Sequence, residues 1–348
     1  MSLIKEKGKD KLNALDRLLA TVSGETPDRI PLFPMIDSIP SRLVNMNVES
    51  YYSDAENVIN GQKKLQKLLN LDYVSNFYYL PIETELFGMK TLFFQESSPN
   101  SGNPIVKSLE FFAENKIPNI YDNEDYIKTI KTTKGLAELY KGKIPILSVQ
   151  SGPFSFPSLL MGTTEWFEFM LMEPENISYA LEFSRSFCNT WAKGHIEAGA
   201  DVIVLVDGLA TATSIPRDVF IDYVIPLYKQ LKNDISAPIV FYTAGGDILP
   251  FADLFDKMGV LGVFPSSNDD LTEVRQKSEG EYSLFGNINN LEFGDWSLDF
   301  MDNVISNMIN ENKEGGKYIL STQHMIPHNV SIQKIADMLN IALKHAYY

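Results

Sequence analysis

The sequence has one cysteine, fewer basic than acidic side chains and no long apolar run. A single cysteine among 348 residues, Cys188, excludes an internal disulfide and a zinc site built from several thiolates. The 45 acidic and 30 basic residues give a formal charge of −15, which argues against a nucleic-acid or anionic-membrane surface. No apolar stretch reaches the length that a bilayer requires, and the charged start of the chain is unlike a signal peptide. We therefore expect a cytoplasmic protein without a nucleic-acid or membrane partner.

Eight short apolar segments recur along the chain, separated by stretches with helical periodicity. Their composition is typical of strands that are buried on both faces. They cover residues 29–36, 72–79, 144–151, 201–207, 238–244, 260–264, 282–287 and 317–323. Apolar residues at three- and four-residue spacing predict helices between and around them, and the last helix, 331–346, has Asn329 or Ser331 as its N-cap. Residues 87–106 interrupt the pattern with a Ser-, Pro-, Asn- and Gly-rich centre, which predicts a hairpin insertion after the second strand.

The alternation of strands and helices, without a linker-like break, predicts the fold class. We expect an α/β protein with one domain over residues 1–348, a (β/α)8 TIM barrel with an N-terminal helix. The alternative is a doubly wound open sheet, which would need a glycine-rich phosphate turn after its first strand. Residues 33–40 contain no glycine. The sequence therefore favours the barrel.

The residues at the carboxyl ends of the predicted strands are polar, aromatic and rich in oxygen. This is the edge where the site of such a barrel lies. The set contains one histidine and neither arginine nor lysine, and comprises Asp37, Ser38, Tyr78, Tyr79, Glu83, Glu85, Gln150, Ser151, Asp207, Tyr242, Thr243, Ser266, Ser267, Asn268, Asn287, Asn289, Gln323 and His324. A substrate with several carboxylates or phosphates would need arginines here, so we expect a different class of substrate.

Three of these side chains are candidates for catalysis. His324 and Asp207 have titratable groups suited to acid–base or metal chemistry, and Tyr242 is the third candidate. Each also has a structural explanation, as a hydrogen-bonded histidine, a helix cap and a wall residue respectively. The candidate substrate-binding residues are Asn287, Glu83, Glu85, Tyr79 and Gln150. Because Glu83 and Glu85 alternate, only one of them is expected to face inward.

Six segments of the chain have the spacing of a known enzyme superfamily. They are Asp28-Arg-Ile-Pro-Leu-Phe-Pro, Gly152-Pro-Phe-Ser, Glu197-Ala-Gly-Ala-Asp-Val-Ile-Val-Leu-Val-Asp207, Pro226-Leu-Tyr-Lys, Phe285-Gly-Asn-Ile and the strand ending in His324. Over nearly its whole length the chain resembles the uroporphyrinogen decarboxylase superfamily, and it is closest in style to the corrinoid-linked methyltransferases of the methylcobamide:coenzyme M type. The resemblance implies the barrel fold and either decarboxylation of uroporphyrinogen or methyl transfer with a corrinoid.

The residues that the resemblance implies for a decarboxylase are mostly replaced. Such an enzyme would have an arginine-rich segment after the first strand, an aspartate after the second and a tyrosine past the Gly-Pro-Phe turn. Here Arg42 is the one arginine, while Tyr79 and Leu159 stand near the places of the aspartate and the tyrosine. Only His324 matches. The four acetate side chains of uroporphyrinogen are hard to bind without arginines. Porphyrin decarboxylation is therefore the alternative and not the leading hypothesis.

The zinc motif that the resemblance implies for a methyltransferase is also degenerate. The family has His-x-Cys at the end of the fifth strand and a cysteine at the eighth, where this chain has Tyr242-Thr-Ala244 and His324. Zinc therefore lacks its usual ligands, and any metal would need His324 together with oxygen ligands such as Asp207 or Glu83.

The resemblance and the strand ends together predict a methyltransferase. It would move a methyl group between a small-molecule donor or acceptor and a corrinoid, supplied as a free cobamide or by a corrinoid protein. In this hypothesis His324 and Asp207 supply acid–base or metal-ligand chemistry, and Tyr242 positions the substrate together with the binding residues named above. The alternatives are a uroporphyrinogen decarboxylase and a non-catalytic barrel that binds a tetrapyrrole or a partner protein.

Overall fold

The core of the protein is a parallel β-sheet flanked by helices. The computed structural model describes residues 2–5, 10–76, 78–95 and 97–348. Its strands are β1 (Val74–Ser75), β2 (Thr91–Leu92), β3 (Asn100–Ser101), β4 (Ile146–Ser151), β5 (Val202–Val206), β6 (Ile239–Tyr242), β7 (Gly262–Phe264), β8 (Ser283–Ile288) and β9 (Tyr318–Thr322). Within these described ranges, seven strands form one parallel sheet in the order β1-β4-β5-β6-β7-β8-β9. A parallel sheet with intervening helices places all strand carboxyl ends on one edge.

Helices precede the sheet and connect its strands. They are α1 (Ala14–Val22), α2 (Pro40–Leu43), α3 (Val48–Tyr52), α4 (Ala55–Leu69), α5 (Pro81–Glu85), α6 (Glu110–Glu114), α7 (Glu124–Tyr140), α8 (Phe156–Met161), α9 (Thr163–Met172), α10 (Ile177–Glu197), α11 (Arg217–Val219), α12 (Ile225–Asp234), α13 (Leu271–Lys277), α14 (Leu298–Asn312) and α15 (Ile332–His345). Ser331 caps α15 by accepting a hydrogen bond from the Lys334 N–H, as one of the two predicted caps. No helix in the described part of the chain is apolar over a length sufficient to cross a membrane.

The predicted strands from residue 144 onward are confirmed to within two residues at each end. Their residues are buried on both faces, as the continuous apolar composition of β5 indicates. The register runs without interruption from Leu147 opposite Val202 in β4 and β5 to Ile288 opposite Thr322 in β8 and β9. The carboxyl ends of these strands therefore lie side by side.

The prediction of a regular first strand over residues 29–36 is wrong. In the structure this segment makes an isolated parallel bridge between Leu32 and Leu320 of β9. Pro31 and Pro34 have no N–H to donate, so a continuous ladder cannot form there. On the other side of the segment a side chain replaces the strand partner. The Leu32 N–H donates to the carboxylate of Asp72, just before β1, at 2.8 Å.

The second predicted strand, residues 72–79, is also much shorter than expected. Only Val74 and Ser75 pair with β4, and Phe77 lies outside the described residues. The chain then enters α5, where Pro81 occupies the first turn. In the following segment, β2 and β3 form an antiparallel pair that is two residues long on each side.

A row of aromatic rings lies beneath the carboxyl edge of the sheet. The ring of Phe33 contacts Tyr73 and Phe285 at centroid distances of 5.1 and 5.9 Å. Phe285 stacks on Phe264 at 4.9 Å, and Phe264 meets Tyr242 edge-on at 4.8 Å. These contacts hold the Tyr242 ring rigidly, because a packed core permits few alternative rotamers.

A buried charge network joins the N-terminal segments to the start of β1. Arg17 and Arg29 are each 1% exposed, and both pair with the carboxylate of Asp72, at 2.7 and 2.6 Å. Arg17 also pairs with Asp28, and Arg29 with Asp10. Burial opposes ionisation of Asp28, but hydrogen bonds from Arg17 and from two backbone N–H groups bring its pKa well below the ordinary value. The network ties α1, the segment at residue 29 and β1 together.

Candidate active site

A cavity of about 400 Å³ opens at the carboxyl edge of the sheet. Its wall is mainly apolar, with a small number of polar groups and with neither lysine nor arginine among the described residues. It is lined by Asp37, Tyr79, Leu80, Pro81, Ser98, Pro99, Asn100, Ser101, Leu159, Val206, Tyr242, Asn290, Leu291, His324, Met325, Ile326 and Pro327. A concave, largely apolar cavity with a few converging polar groups is typical of a small-molecule site.

The structure brings two of the three predicted catalytic residues together. The hydroxyl group of Tyr242 lies 2.7 Å from Nδ1 of His324, and the N–H of Met325 lies 2.6 Å from the same nitrogen. Because a backbone N–H can only donate, Nδ1 of His324 must be an acceptor, and the Tyr242 hydroxyl donates to it as well. The imidazole is therefore neutral with its proton on Nε2.

The surroundings of this pair favour its uncharged forms. Burial lowers the pKa of His324 below its ordinary value of 6.5, although the charge of Asp37 opposes that shift. Burial, and then the charge of Asp37, raise the pKa of Tyr242 well above its ordinary value. The phenol therefore stays protonated and able to donate.

Asp37 is a site residue that the sequence placed at a strand end but did not single out. It is 3% exposed and lines the cavity. One of its carboxylate oxygens accepts from the Ser38 hydroxyl at 3.2 Å, and the other accepts from the Ser98 hydroxyl. The sequence signal that could have identified Asp37 is its position directly after the first apolar segment, residues 29–36. Ser38 follows the same segment, so this position alone did not favour Asp37.

Asp207 lies outside the cavity and binds the turn after β4. Its carboxylate accepts from the N–H groups of Phe154 and Ser155, at 3.2 and 2.7 Å, and from the hydroxyl group of Tyr228 at 2.9 Å. A Cβ atom at Gly152 would clash with the Asp207 side chain, so the close approach requires glycine. Burial raises the pKa of Asp207 to about 6, although these hydrogen bonds act in the opposite direction.

Two predicted substrate-binding amides bind backbone carbonyl groups instead of lining the cavity. The Asn287 amide donates to the carbonyl oxygens of Ser266 and Asp269 at 2.7 and 2.9 Å. The Gln150 amide donates to the carbonyl oxygen of Cys188 at 2.9 Å. Of the five predicted binding residues, only Tyr79 lines the cavity.

Glu83 and Glu85 lie on the short helix α5, away from the cavity. Glu83 is buried and accepts from the Ser151 N–H at 2.9 Å. Burial raises the pKa of Glu83 to about 8, although Ser151 opposes the shift, so its carboxyl group is protonated at neutral pH. Burial, together with the nearby Asp125, also raises the pKa of Glu85, to about 7. Their expected role as a substrate-facing carboxylate stays a prediction.

The cavity residues do not fit a zinc ion. Nδ1 of His324 is already engaged by two donors, and Tyr242 offers a protonated phenol in place of a histidine or thiolate ligand. In the ranges that the structure describes, no group of three or more His, Cys, Asp or Glu side chains is arranged to hold a metal ion. The metal-ligand role predicted for His324 therefore has no neighbouring ligands to support it.

Comparisons with known proteins identify relatives of this chain in sequence and in fold. The sequence model of the family "Uroporphyrinogen decarboxylase (URO-D)" matches residues 13–345. The methylcobamide:CoM methyltransferase MtbA of Methanosarcina acetivorans is 24% identical over 242 residues, which are 68% of this chain and 70% of that protein. The MtbA protein of Methanosarcina mazei is 26% identical over 214 residues, 60% of this chain and 62% of that protein.

Solved structures show the same fold. A methyltransferase from Methanosarcina mazei superposes with a TM-score of 0.84 at 19% identity, covering 96% of this chain and 99% of that one. A B12-independent methionine synthase from Shewanella sp. gives a TM-score of 0.54 at 12% identity, covering 90% and 94%. The family model extends over almost the whole chain, and the parallel sheet has its cavity where barrels of this kind have theirs. The chain therefore belongs to the uroporphyrinogen decarboxylase family.

Proposed function

We propose that the chain is a corrinoid-linked methyltransferase, which moves a methyl group between a small substrate and a free cobamide or corrinoid protein. Relatives named methylcobamide:CoM methyltransferases support the reaction class. The observation that carries the proposal is the cavity, whose apolar wall and neutral His324–Tyr242 pair suit a small methylated molecule. The absence of lysine and arginine from its described lining disfavours uroporphyrinogen, whose acetate groups need cations.

The proposed architecture is a single barrel domain over residues 1–348. We infer that residues 30–36 take the place of the remaining strand, because they hydrogen bond to β9 on one side and to the start of β1 on the other. The β2–β3 pair would be the predicted hairpin insertion, and its second strand, Asn100–Ser101, lines the cavity. It would cover the site from above.

In this proposal His324 acts as a hydrogen-bond donor toward the atom that carries the methyl group. Both hydrogen bonds to Nδ1 fix the imidazole orientation and leave the Nε2 proton available. When the methyl group leaves a nitrogen, oxygen or sulfur atom, the electron pair of the broken bond remains on that atom, and the Nε2 proton can stabilise it. A corrinoid, as the second substrate, exchanges the methyl group at its cobalt.

The remaining predicted residues would act through the backbone. Asp207 positions the Gly152–Ser155 turn, and Asn287 positions the loop after β7. Glu83 anchors β4 through Ser151. These are positioning roles, since none of the three side chains lines the cavity.

We expect the protein to methylate or demethylate a cobamide. Mixing it with cob(I)alamin and a panel of small methylated compounds should convert the cobalt(I) spectrum to that of methylcobalamin in the presence of at least one of them. Formation of coproporphyrinogen from uroporphyrinogen, with no change in the cobalamin spectrum, would instead identify a decarboxylase. Tight cobalamin binding without transfer from any methyl donor would identify a non-catalytic binding protein.

We expect the pH profile of kcat/KM to have an acid limb that is set by the protonation of His324. Because burial lowers the pKa of this imidazole, kcat/KM should be constant above about pH 6.5 and decline only at lower pH, where His324 becomes charged. Tyr242→Phe removes a donor to the neutral form, so it should move the acid limb to higher pH. Tyr79→Phe is the matched control, since it removes another hydroxyl group of the cavity wall and should leave the limb in place. A rate that increases as pH falls through this range would contradict the role of the neutral imidazole.

A further inference from the structure

We propose that the cavity beside His324 binds an onium group, a methylated ammonium or sulfonium cation, with Asp37 as its counter-ion. The charge, shape and ring composition of the cavity favour a cation, whatever reaction the protein catalyses. That this cation is the methylated substrate rests on the proposed function.

Among the described residues that line the cavity, Asp37 is the one carboxylate, and it is buried. Asp37 is 3% exposed, and it accepts hydrogen bonds from two neutral groups, the hydroxyl groups of Ser38 and Ser98. Among the residues that the structure describes, no lysine or arginine lines the cavity, and none forms an ion pair with Asp37. A buried carboxylate without a compensating cation is costly, so a bound cation would relieve an existing desolvation cost.

The aromatic groups of the cavity add to this preference. Tyr79 and Tyr242 both line it, one from the segment before α5 and one from the end of β6. The Tyr79 ring is held in place by Tyr52 and Phe93 at centroid distances of 5.3 and 5.4 Å. Aromatic rings attract onium groups through their quadrupole, and this attraction is strongest where water is excluded.

The apolar part of the wall fits the surface of an onium ion. Leu80, Leu159 and Ile326 contribute aliphatic surface to the same cavity. In an onium ion the positive charge is surrounded by methyl groups, so the ion loses less hydration on entering an apolar site than a primary ammonium does. The combination of one carboxylate, two phenol rings and aliphatic wall therefore recognises a methylated cation by charge and by surface together.

The same features disfavour anionic substrates. A sulfonate or carboxylate would meet the Asp37 charge in a poorly hydrated site and would find no guanidinium to bind it. The relatives are methylcobamide:CoM methyltransferases, and coenzyme M is 2-mercaptoethanesulfonate, an anion. This chain would therefore differ from those relatives in the charge of the small molecule that it accepts.

The test is an equilibrium binding measurement by calorimetry, with the complete protein and no corrinoid. The probes are choline, its neutral isostere 3,3-dimethylbutan-1-ol and 2-mercaptoethanesulfonate. We expect choline to bind at least about tenfold more tightly than the neutral isostere, and the sulfonate to bind most weakly. Asp37→Asn should weaken choline binding by about tenfold or more and leave the neutral isostere unchanged, which also shows that the variant is folded.

A second variant keeps the inference testable if Asp37→Asn does not fold. Tyr79→Leu retains the carboxylate and removes one ring, so it should weaken choline binding several-fold and affect the neutral isostere less. Equal affinity for choline and its isostere, or tighter binding of the sulfonate, would overturn the inference. Methyl transfer to cob(I)alamin from neutral donors but not from onium donors would also overturn it while the proposed function stands. Selective binding of choline without any methyl transfer would leave the cation site in place and contradict the proposed function.

Discussion

Replacing His324 with alanine is expected to reduce kcat for methyl transfer by roughly 100- to 1,000-fold, the usual cost of removing one preorganised donor. The reason is that Nδ1 accepts from the Tyr242 hydroxyl and the Met325 N–H, so the ring donates through Nε2, which has no hydrogen-bond partner among the described residues. Stopped-flow measurement of methylcobalamin formation at saturating substrate would give kcat. The KM for the small substrate should change much less, because the Nε2 hydrogen bond is strongest in the transition state, where the electron pair develops on the atom that loses the methyl group.

Two substitutions separate this role from simple packing. His324→Gln places an amide N–H near the position of Nε2 and should restore part of the lost rate. His324→Asn has a shorter side chain, which places its polar atoms near Nδ1, and should restore little. Because His324 lies at the cavity and is only partly buried, all three variants should unfold within a few degrees of the unmodified protein. Equal rates for the glutamine, asparagine and alanine variants would contradict the donor role.

Replacing Asp72 with alanine is expected to lower the free energy of unfolding by about 3–5 kcal/mol, because it leaves two buried guanidinium groups without their shared carboxylate. Asp72 pairs with Arg17 and Arg29 and also accepts from the Leu32 N–H, so one carboxylate joins three segments of the chain. Urea unfolding followed by circular dichroism would measure the loss. The change should appear in the midpoint, with little change in the slope.

The matched control is an ion pair of similar geometry on the surface. Arg217 and Asp253 form such a pair, with side chains 41% and 44% exposed. Asp253→Ala should cost less than about 1 kcal/mol, because an exposed pair is screened by water and salt. A comparable loss for both variants would show that burial does not set the strength of the Asp72 network.

The same network predicts a loss of stability in acid. The pKa of Asp28 is lower in the folded than in the unfolded chain, since burial is outweighed by its hydrogen bonds from Arg17 and from backbone N–H groups. The contribution of Asp28 to the free energy of unfolding is therefore fully present above about pH 4, the ordinary aspartate pKa. It is lost as pH falls toward the lowered pKa. Glu83 has a raised pKa, so above about pH 4 it lowers the free energy of unfolding as pH rises. The effects of the two carboxyl groups on stability are therefore opposite in sign.

The sequence predicted the sheet best where strands are continuous apolar runs. The segments at 201–207 and 317–323 appear as β5 and β9 with nearly the predicted bounds, because a strand buried on both faces leaves a composition signal of its own. The signal failed at residues 29–36, where Pro31 and Pro34 interrupt the ladder in an otherwise apolar run.

The site was predicted by position rather than by the direction of its side chains. His324, Tyr242 and Tyr79 line the same cavity, and their functional roles stay predictions. Asp207 and Asn287 come from the same strand ends, but their partners are backbone groups of other segments, such as Phe154 and Ser266. Which way a strand-end residue points depends on which distant segment offers it a hydrogen bond, and a linear pattern does not contain that information.

By itself, the sequence determined that this chain builds a parallel α/β sheet and that its polar strand ends carry no lysine or arginine, because burial and residue type are local properties. The resemblance in spacing identified the family. Only the tertiary structure decided that Nδ1 of His324 accepts from Tyr242 and that Asp37 is the one buried carboxylate among the described residues of the cavity, because both depend on atoms brought together from remote parts of the chain.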